Sequence, residues 1–208
     1  MKDLIFGSSG APVEKPSIAA STVTINEPKI LEVSYNRIYF YSEINRNSIL
    51  TLNRNLHELC SANLTDARIK GVENPIPIKL HINSFGGSIF AGLAGMDEIL
   101  KSSEYVEVHT IVDGVCASAG TFLSVSGSKR YINRHAFMLI HQLSSVFWGK
   151  HEEFKDEMEN LEKLMTVIKE VYLSKTKLPE NKLEEILKHD LFFRAEECVE
   201  FGLADEIL

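Results

Sequence analysis

A single α/β domain with a largely parallel sheet is the fold class this sequence predicts. Three observations lead there. Strand-length apolar runs alternate with amphipathic helix-length segments, small-residue or glycine turns follow several of the strands, and 208 residues at 44% hydrophobic content suffice for one sizeable core. The net charge is -7 and no Lys/Arg cluster exceeds two residues, which argues against a nucleic-acid surface. Apolar runs fall short of the roughly 18 to 20 residues that span a bilayer, and no basic segment followed by an apolar stretch opens the chain, so a soluble cytoplasmic protein is expected. Three cysteines, Cys60, Cys116 and Cys198, are too few and too widely spaced for a disulfide framework or a metal knuckle and suit a reducing compartment.

In order along the chain, residues 1–27 are rich in Ser, Gly, Pro, Ala and Thr without periodicity and are expected to be flexible, leaving 28–208 as the folded domain. Arg37 to Tyr41 reads as a strand, Ile49 to Ala62 as an amphipathic helix, and Ile78 to Ile82 as a buried strand after the helix-breaking Asn74-Pro-Ile-Pro. Then follow the turn Asn83-Ser-Phe-Gly86-Gly87-Ser88, a helix from Ile89 to Leu100, a strand at Val106 to Val112, a helix beginning near Ser118, and strands near Arg130 to Ile132 and Ala136 to Ile140. From His151 to Lys175, Phe154, Met158, Leu161, Met165, Ile168 and Tyr172 repeat at alternating spacings of 4 and 3, a heptad seam. Such a helix is nearly 40 Å long at about 1.5 Å per residue, enough to project beyond the sheet and pack between subunits. Glu196 to Phe201 forms one or two helical turns ended by Gly202.

Chemistry concentrates between Asp113 and Gln142. Ser118 lies among Gly and Ala at a strand-to-helix junction, and His141 closes an apolar strand, a rigid place from which to aim an imidazole at a serine proton. Gly114, Ala117, Ala119 and Gly120 also suit a helix packed closely on a sheet, and a histidine at a strand end is often only structural. What favours chemistry is a shared location, because Gly86, Ser118 and His141 each fall just past the carboxyl end of a predicted strand, where α/β folds build their sites. Acyl transfer also needs oxyanion donors and a group that orients the base. Gly86-Gly87 can turn backbone N–H groups into a cleft, the Ala119 amide offers a second donor, and Asp190, ahead of an aromatic pair that would shield it, is the candidate acid. Cys116, between Val115 and Ala117, reads as a buried small hydrophobe rather than a rival nucleophile.

Four ordered motifs, Ile82-Asn-Ser-Phe-Gly-Gly-Ser, Gly114-Val-Cys-Ala-Ser-Ala-Gly-Thr-Phe-Leu, Met138-Leu-Ile-His-Gln and Ala195-Glu-Glu-Cys-Val-Glu-Phe-Gly-Leu-Ala-Asp, resemble the Clp protease proteolytic subunit (ClpP) family over residues 30–208. The resemblance implies a crotonase-like ββα fold with Ser118 as nucleophile, His141 as general base and Asp190 as third triad member. It further implies oxyanion amides from Gly87 and Ala119, and a peptide-binding edge at Gly86, Ser88 and Ile89 that works by strand addition. A homo-oligomer of two stacked heptameric rings interlocked by the long helix, a AAA+ ATPase unfoldase partner, unfolded protein as substrate, and no metal or organic cofactor complete the implied picture.

The chain departs from that family pattern in several places. Phe85 stands where the family usually has Pro before the glycine pair, and Leu143 where Pro usually follows His-Gln. An ungapped comparison from Gly202 puts Ile186 at the family's aspartate position, and only a four-residue deletion brings Asp190 there; Glu185 or a Ser-His dyad are the alternatives. The N-terminal segment differs from the family's axial loop. A catalytically silent ring subunit and an acyl-CoA enzyme of the broader crotonase-like group are the competing functions. A histidine base implies activity that falls as pH drops through roughly 6 to 7.

Overall fold

The computed structural model describes residues 31–208, so the flexible segment expected at 1–27 lies outside the described residues. Alternating apolar and polar residues form an antiparallel hairpin of β1 (Leu31–Ser34) and β2 (Arg37–Tyr41), reversing at Tyr35 with φ 55°. From β2 onward the main path is parallel, through β3 (Ile78–Ser84), β4 (Val108–Ala117), β5 (Lys129–Ile132) and β8 (Glu206–Ile207). This is the largely parallel α/β architecture that the alternation of segments predicts. β4 is ten residues long and changes partner midway. Its first half pairs with β5, and Val115 to Ala117 pair in parallel with β6 (Phe137–Leu139), which also carries the short antiparallel β7 (Phe193–Arg194).

Period-two alternation assigns the sheet faces. Ile38, Phe40, Leu80 and Ile82 are wholly buried beneath the helices, while Tyr39 and His81 stack on the opposite face at 4.7 Å between ring centroids. The helix α1 (Arg46–Lys70) contributes the stripe Ile49, Leu52, Leu56 and Cys60 to the core. It is longer at both ends than the stripe alone indicates. The Asn45 side chain caps it by accepting from the Asn47 and Ser48 amides, both at 3.0 Å. Its last two turns bury only Ala67, so the apolar period fades before the backbone stops. α2 (Ile89–Ser103) starts at Ser88, and α3 (Gly120–Ser124) is a short turn of helix beneath Ser118.

The long α4 (His151–Lys175) has the expected bounds, but its seam divides in two. Ile168 and Tyr172 are buried against the domain at 3% and 1% exposure, whereas Phe154 and Met158 are 47% and 56% exposed. No helix among the described residues is long and apolar enough to cross a membrane.

The final segment, with α5 (Glu180–Leu187) and α6 (Ala195–Glu200), is tied to the sheet by Arg130 on β5. The Arg130 guanidinium pairs with the Asp205 carboxylate and donates to the carbonyls of Lys175 and Gly202, closing the end of α4 against the last strand. Burial alone would raise the Asp205 carboxyl, but the hydrogen bonds and charge of Arg130 outweigh it and hold it below its ordinary value. A depressed carboxyl stabilises the fold above its unfolded pKa, and that contribution is lost as pH falls through the folded value. Arg130→Ala is expected to cost on the order of 2 to 4 kcal/mol by urea denaturation, because it strands two carbonyls and a carboxylate. Asp205→Asn should flatten the acid limb of stability below about pH 4, a profile measured by the same titrations across pH.

Candidate active site

Three parallel strands set the site. β3 ends at Ser84, β4 at Ala117 and β6 at Leu139, and their carboxyl ends carry Gly86-Gly87, Ser118 and His141 respectively. The register pairs Ala117 with Leu139, and the Ser118 N–H donates to the Leu139 carbonyl at 2.9 Å. Nucleophile candidate and base candidate therefore leave adjacent strands at one level.

Ser118 has φ 53°, one of two positive values among described non-glycine residues. That left-handed conformation is unfavourable for an L side chain and typical of a nucleophile at a sharp strand-to-helix turn. The Ser118 carbonyl accepts from the Thr121 amide at 2.9 Å and from Thr121 Oγ1 at 2.6 Å, which holds the turn. Gly86, at φ 99°, packs directly on it. A Cβ there would lie 2.6 Å from Ser118 Cβ and 2.8 Å from the Ala117 carbonyl oxygen. A Cβ on Gly87, at φ 143°, would lie 2.3 Å from the Ile44 carbonyl oxygen. Only glycine lets this turn pass between Ile44 and the serine. Ile44 N–H donates to Gly86 and Ser88 N–H to Ile44, both at 2.8 Å, and this pairing leaves the Gly87 N–H without an acceptor among the described residues. With the Ala119 amide, which no carbonyl among the described residues accepts, it forms a pair of backbone donors beside Ser118.

A cavity of about 260 Å³ gathers Gly87, Ser88, Ile89, Ser118, Ala119 and His141 on its walls. Phe122, Leu143, Ile168 and Tyr172 supply an apolar side. Ser118 and His141 share the cavity without a direct hydrogen bond.

Asp190 Oδ1 lies 3.1 Å from His141 Nδ1, within ion-pair distance but without the alignment of a hydrogen bond. The Gln142 N–H donates to the Leu187 carbonyl at 2.8 Å, which draws the end of α5 and the Asp190 loop to the histidine. The aromatic shield expected over Asp190 is absent. Its side chain is 79% exposed, Phe192 is half exposed, and Phe193 turns inward against Phe201 at 5.3 Å between centroids. Glu185 pairs with Lys182 at 3.2 Å, and Ile186 is buried in the core. Leu143, lacking the ring of a proline, keeps an N–H and donates it to Met165 Sδ on α4 at 3.3 Å.

Cys116, two residues before Ser118, is fully buried, and burial pushes its thiol up to about 12, so it is an inert hydrophobe as its neighbours suggest. The role of Asp113 escaped the sequence reading. Its carboxylate accepts from Tyr41 Oη at 2.8 Å, His81 Nδ1 at 2.8 Å and Asn133 Nδ2 at 2.6 Å, where β4 exchanges β5 for β6. Burial, with the bond to Asp113, pushes Tyr41 up to about 12. The best-aligned His–Asp pair among the described residues is thus a clamp behind the strand ends and lines no wall of the serine cavity. Tyr172 and Thr121 were missed too. A tyrosine within an apolar seam was the available signal, since a buried phenol needs a partner for its hydroxyl.

Gly86→Ala should lower the rate at which Ser118 reacts with a fluorophosphonate by about 10²-fold or more, because the Cβ forces the serine or the donor pair to move. It is also expected to cost roughly 1 to 3 kcal/mol of stability at its positive φ; labelling kinetics and urea denaturation measure the two effects.

Residues 33–208 match the family model described as Clp protease. A protein described as ATP-dependent Clp protease proteolytic subunit from Staurastrum punctulatum is 32% identical over 178 residues, covering 82% of this chain and 84% of that protein. The match spans the strand ends, the glycine turn and the serine turn just described, and this chain belongs to the Clp protease family.

Proposed function

We propose that the chain is a serine endopeptidase subunit that hydrolyses peptide bonds of unfolded proteins through an acyl-enzyme. The observation that carries this is one cavity holding a serine at positive φ, a histidine from the neighbouring strand and two unused backbone donors. His141 Nδ1 faces Asp190, which leaves Nε2 for the serine. Ser118 Oγ attacks the scissile carbonyl carbon as its proton passes to Nε2, and the Gly87 and Ala119 amides hold the resulting oxyanion. Collapse breaks the C–N bond, the amine leaves with the proton from His141, and water repeats the sequence to release the acid. Ser88 already donates to Ile44 and accepts from Gly92 at 2.9 Å, so an added peptide strand registers on Gly87 and Ile89 rather than on both faces of Ser88.

The exposed apolar end of α4 supports assembly. Phe147 stacks edge-on against Phe154 at 5.1 Å, and the surface they begin with Met158 suits a second copy of this chain in two stacked heptameric rings fed by a AAA+ ATPase unfoldase. Three buried free thiols suit a cytoplasmic location.

The second reading, a catalytically silent ring subunit, is favoured by the exposure and poor alignment of Asp190. Fluorophosphonate labelling and short-peptide hydrolysis decide between them. The purified assembly should label at Ser118 and cleave peptide, Ser118→Ala should abolish both, and Asp190→Ala should lower kcat on the order of 10²-fold or more with little change in KM. An unlabelled, inactive wild type supports the silent subunit. Phe154→Glu with Met158→Glu should shift the particle to half its mass in sedimentation velocity, as a charged face cannot stay buried between rings.

A further inference from the structure

Tyr172 is a buried polar group with no part in this chemistry. It stands near the inner end of α4 at 1% exposure, its hydroxyl 2.7 Å from Thr121 Oγ1, and Thr121 is itself fully buried. Burial pushes its phenol well above the ordinary value, so it remains a neutral O–H. Proton bookkeeping fixes the direction of the bonds. Thr121 Oγ1 lies 2.6 Å from the Ser118 carbonyl oxygen, which can only accept, so the single threonine hydroxyl proton is spent there. The proton between Thr121 and Tyr172 must then come from Tyr172. The chain runs from the Tyr172 O–H to the Thr121 O–H to the Ser118 carbonyl, each bond polarising the next in a dry interior.

We infer that Tyr172 and Thr121 are positioning residues that hold Ser118 in its left-handed conformation and fasten the nucleophile turn to α4. Neither touches the reacting atoms. Thr121 supplies two hydrogen bonds to the Ser118 carbonyl, one from its amide and one from its hydroxyl, and Tyr172 locks the hydroxyl rotor that makes the second. The inference rests on Ser118 being the nucleophile.

The test uses the full-length assembled protein with Tyr172→Phe, which removes one oxygen and keeps the ring, Thr121→Val, which keeps the shape, and Thr121→Ser, which keeps the hydroxyl. Tyr172→Phe and Thr121→Val should each slow fluorophosphonate labelling of Ser118 and lower kcat by about tenfold, with KM within about twofold, the scale of one buried hydrogen bond. Thr121→Ser should recover most of the rate. The double variant Tyr172→Phe/Thr121→Val should be no slower than Thr121→Val alone, because the two act in series. Melting temperatures that fall while labelling rates stay within about twofold of wild type, or losses that add in the double variant, overturn the inference. If wild type neither labels nor cleaves peptide, the proposed function fails, and amide hydrogen exchange of residues 118–121 judges the relay. Faster exchange in both single variants, no faster in the double, supports it, and unchanged exchange overturns it.

Discussion

The register of β6 on the second half of β4 is the constraint on which the site depends. Ala117 opposite Leu139 means that the next residue of one strand is the serine and the second next of the other is the histidine, with a backbone hydrogen bond from Ser118 to Leu139 closing the ladder. β4 can offer this edge only because it releases β5 after Val112, and Asp113 secures that exchange by gathering Tyr41, His81 and Asn133 from three other segments. Side chains on parallel strands alternate with a period of two, so a slip of one residue would send the strand's alternating side chains to opposite faces. The glycine turn completes the arrangement, because its missing Cβ atoms set the distance between Ile44 and Ser118.

What was legible in the sequence was what is local. The strand ends, Ser118, His141 and Gly86-Gly87 are each announced by residues within a few positions, and parallel topology brings strand ends together without knowledge of particular contacts. α1 ran past its readable stripe because the cap at Asn45 and the backbone, not burial, determine its ends. The candidate acid was harder to place. Asp190 reaches His141 through the bond between Gln142 and Leu187, a contact between distant segments, and the aromatics after it divide between solvent and core. Tyr172 read as one more apolar position of a seam, since the threonine that receives its hydroxyl lies 51 residues earlier. The Asp113 clamp was hidden for the same reason, its three donors coming from three separate elements.

The division of α4 into a buried root and an exposed outer half has a mechanical consequence. Its 25 residues make a rod of about 37 Å, and its buried side chains, Ile168, Val171 and Tyr172, lie within its last two turns. It is a cantilever, in which a tilt of about 5° at the root carries the free end through about 3 Å by the geometry of that length. The leverage also runs in reverse. Holding the outer end against another molecule fixes the orientation of the root far more tightly than the same contact made close to the domain. The wall at that root is the wall of the serine cavity.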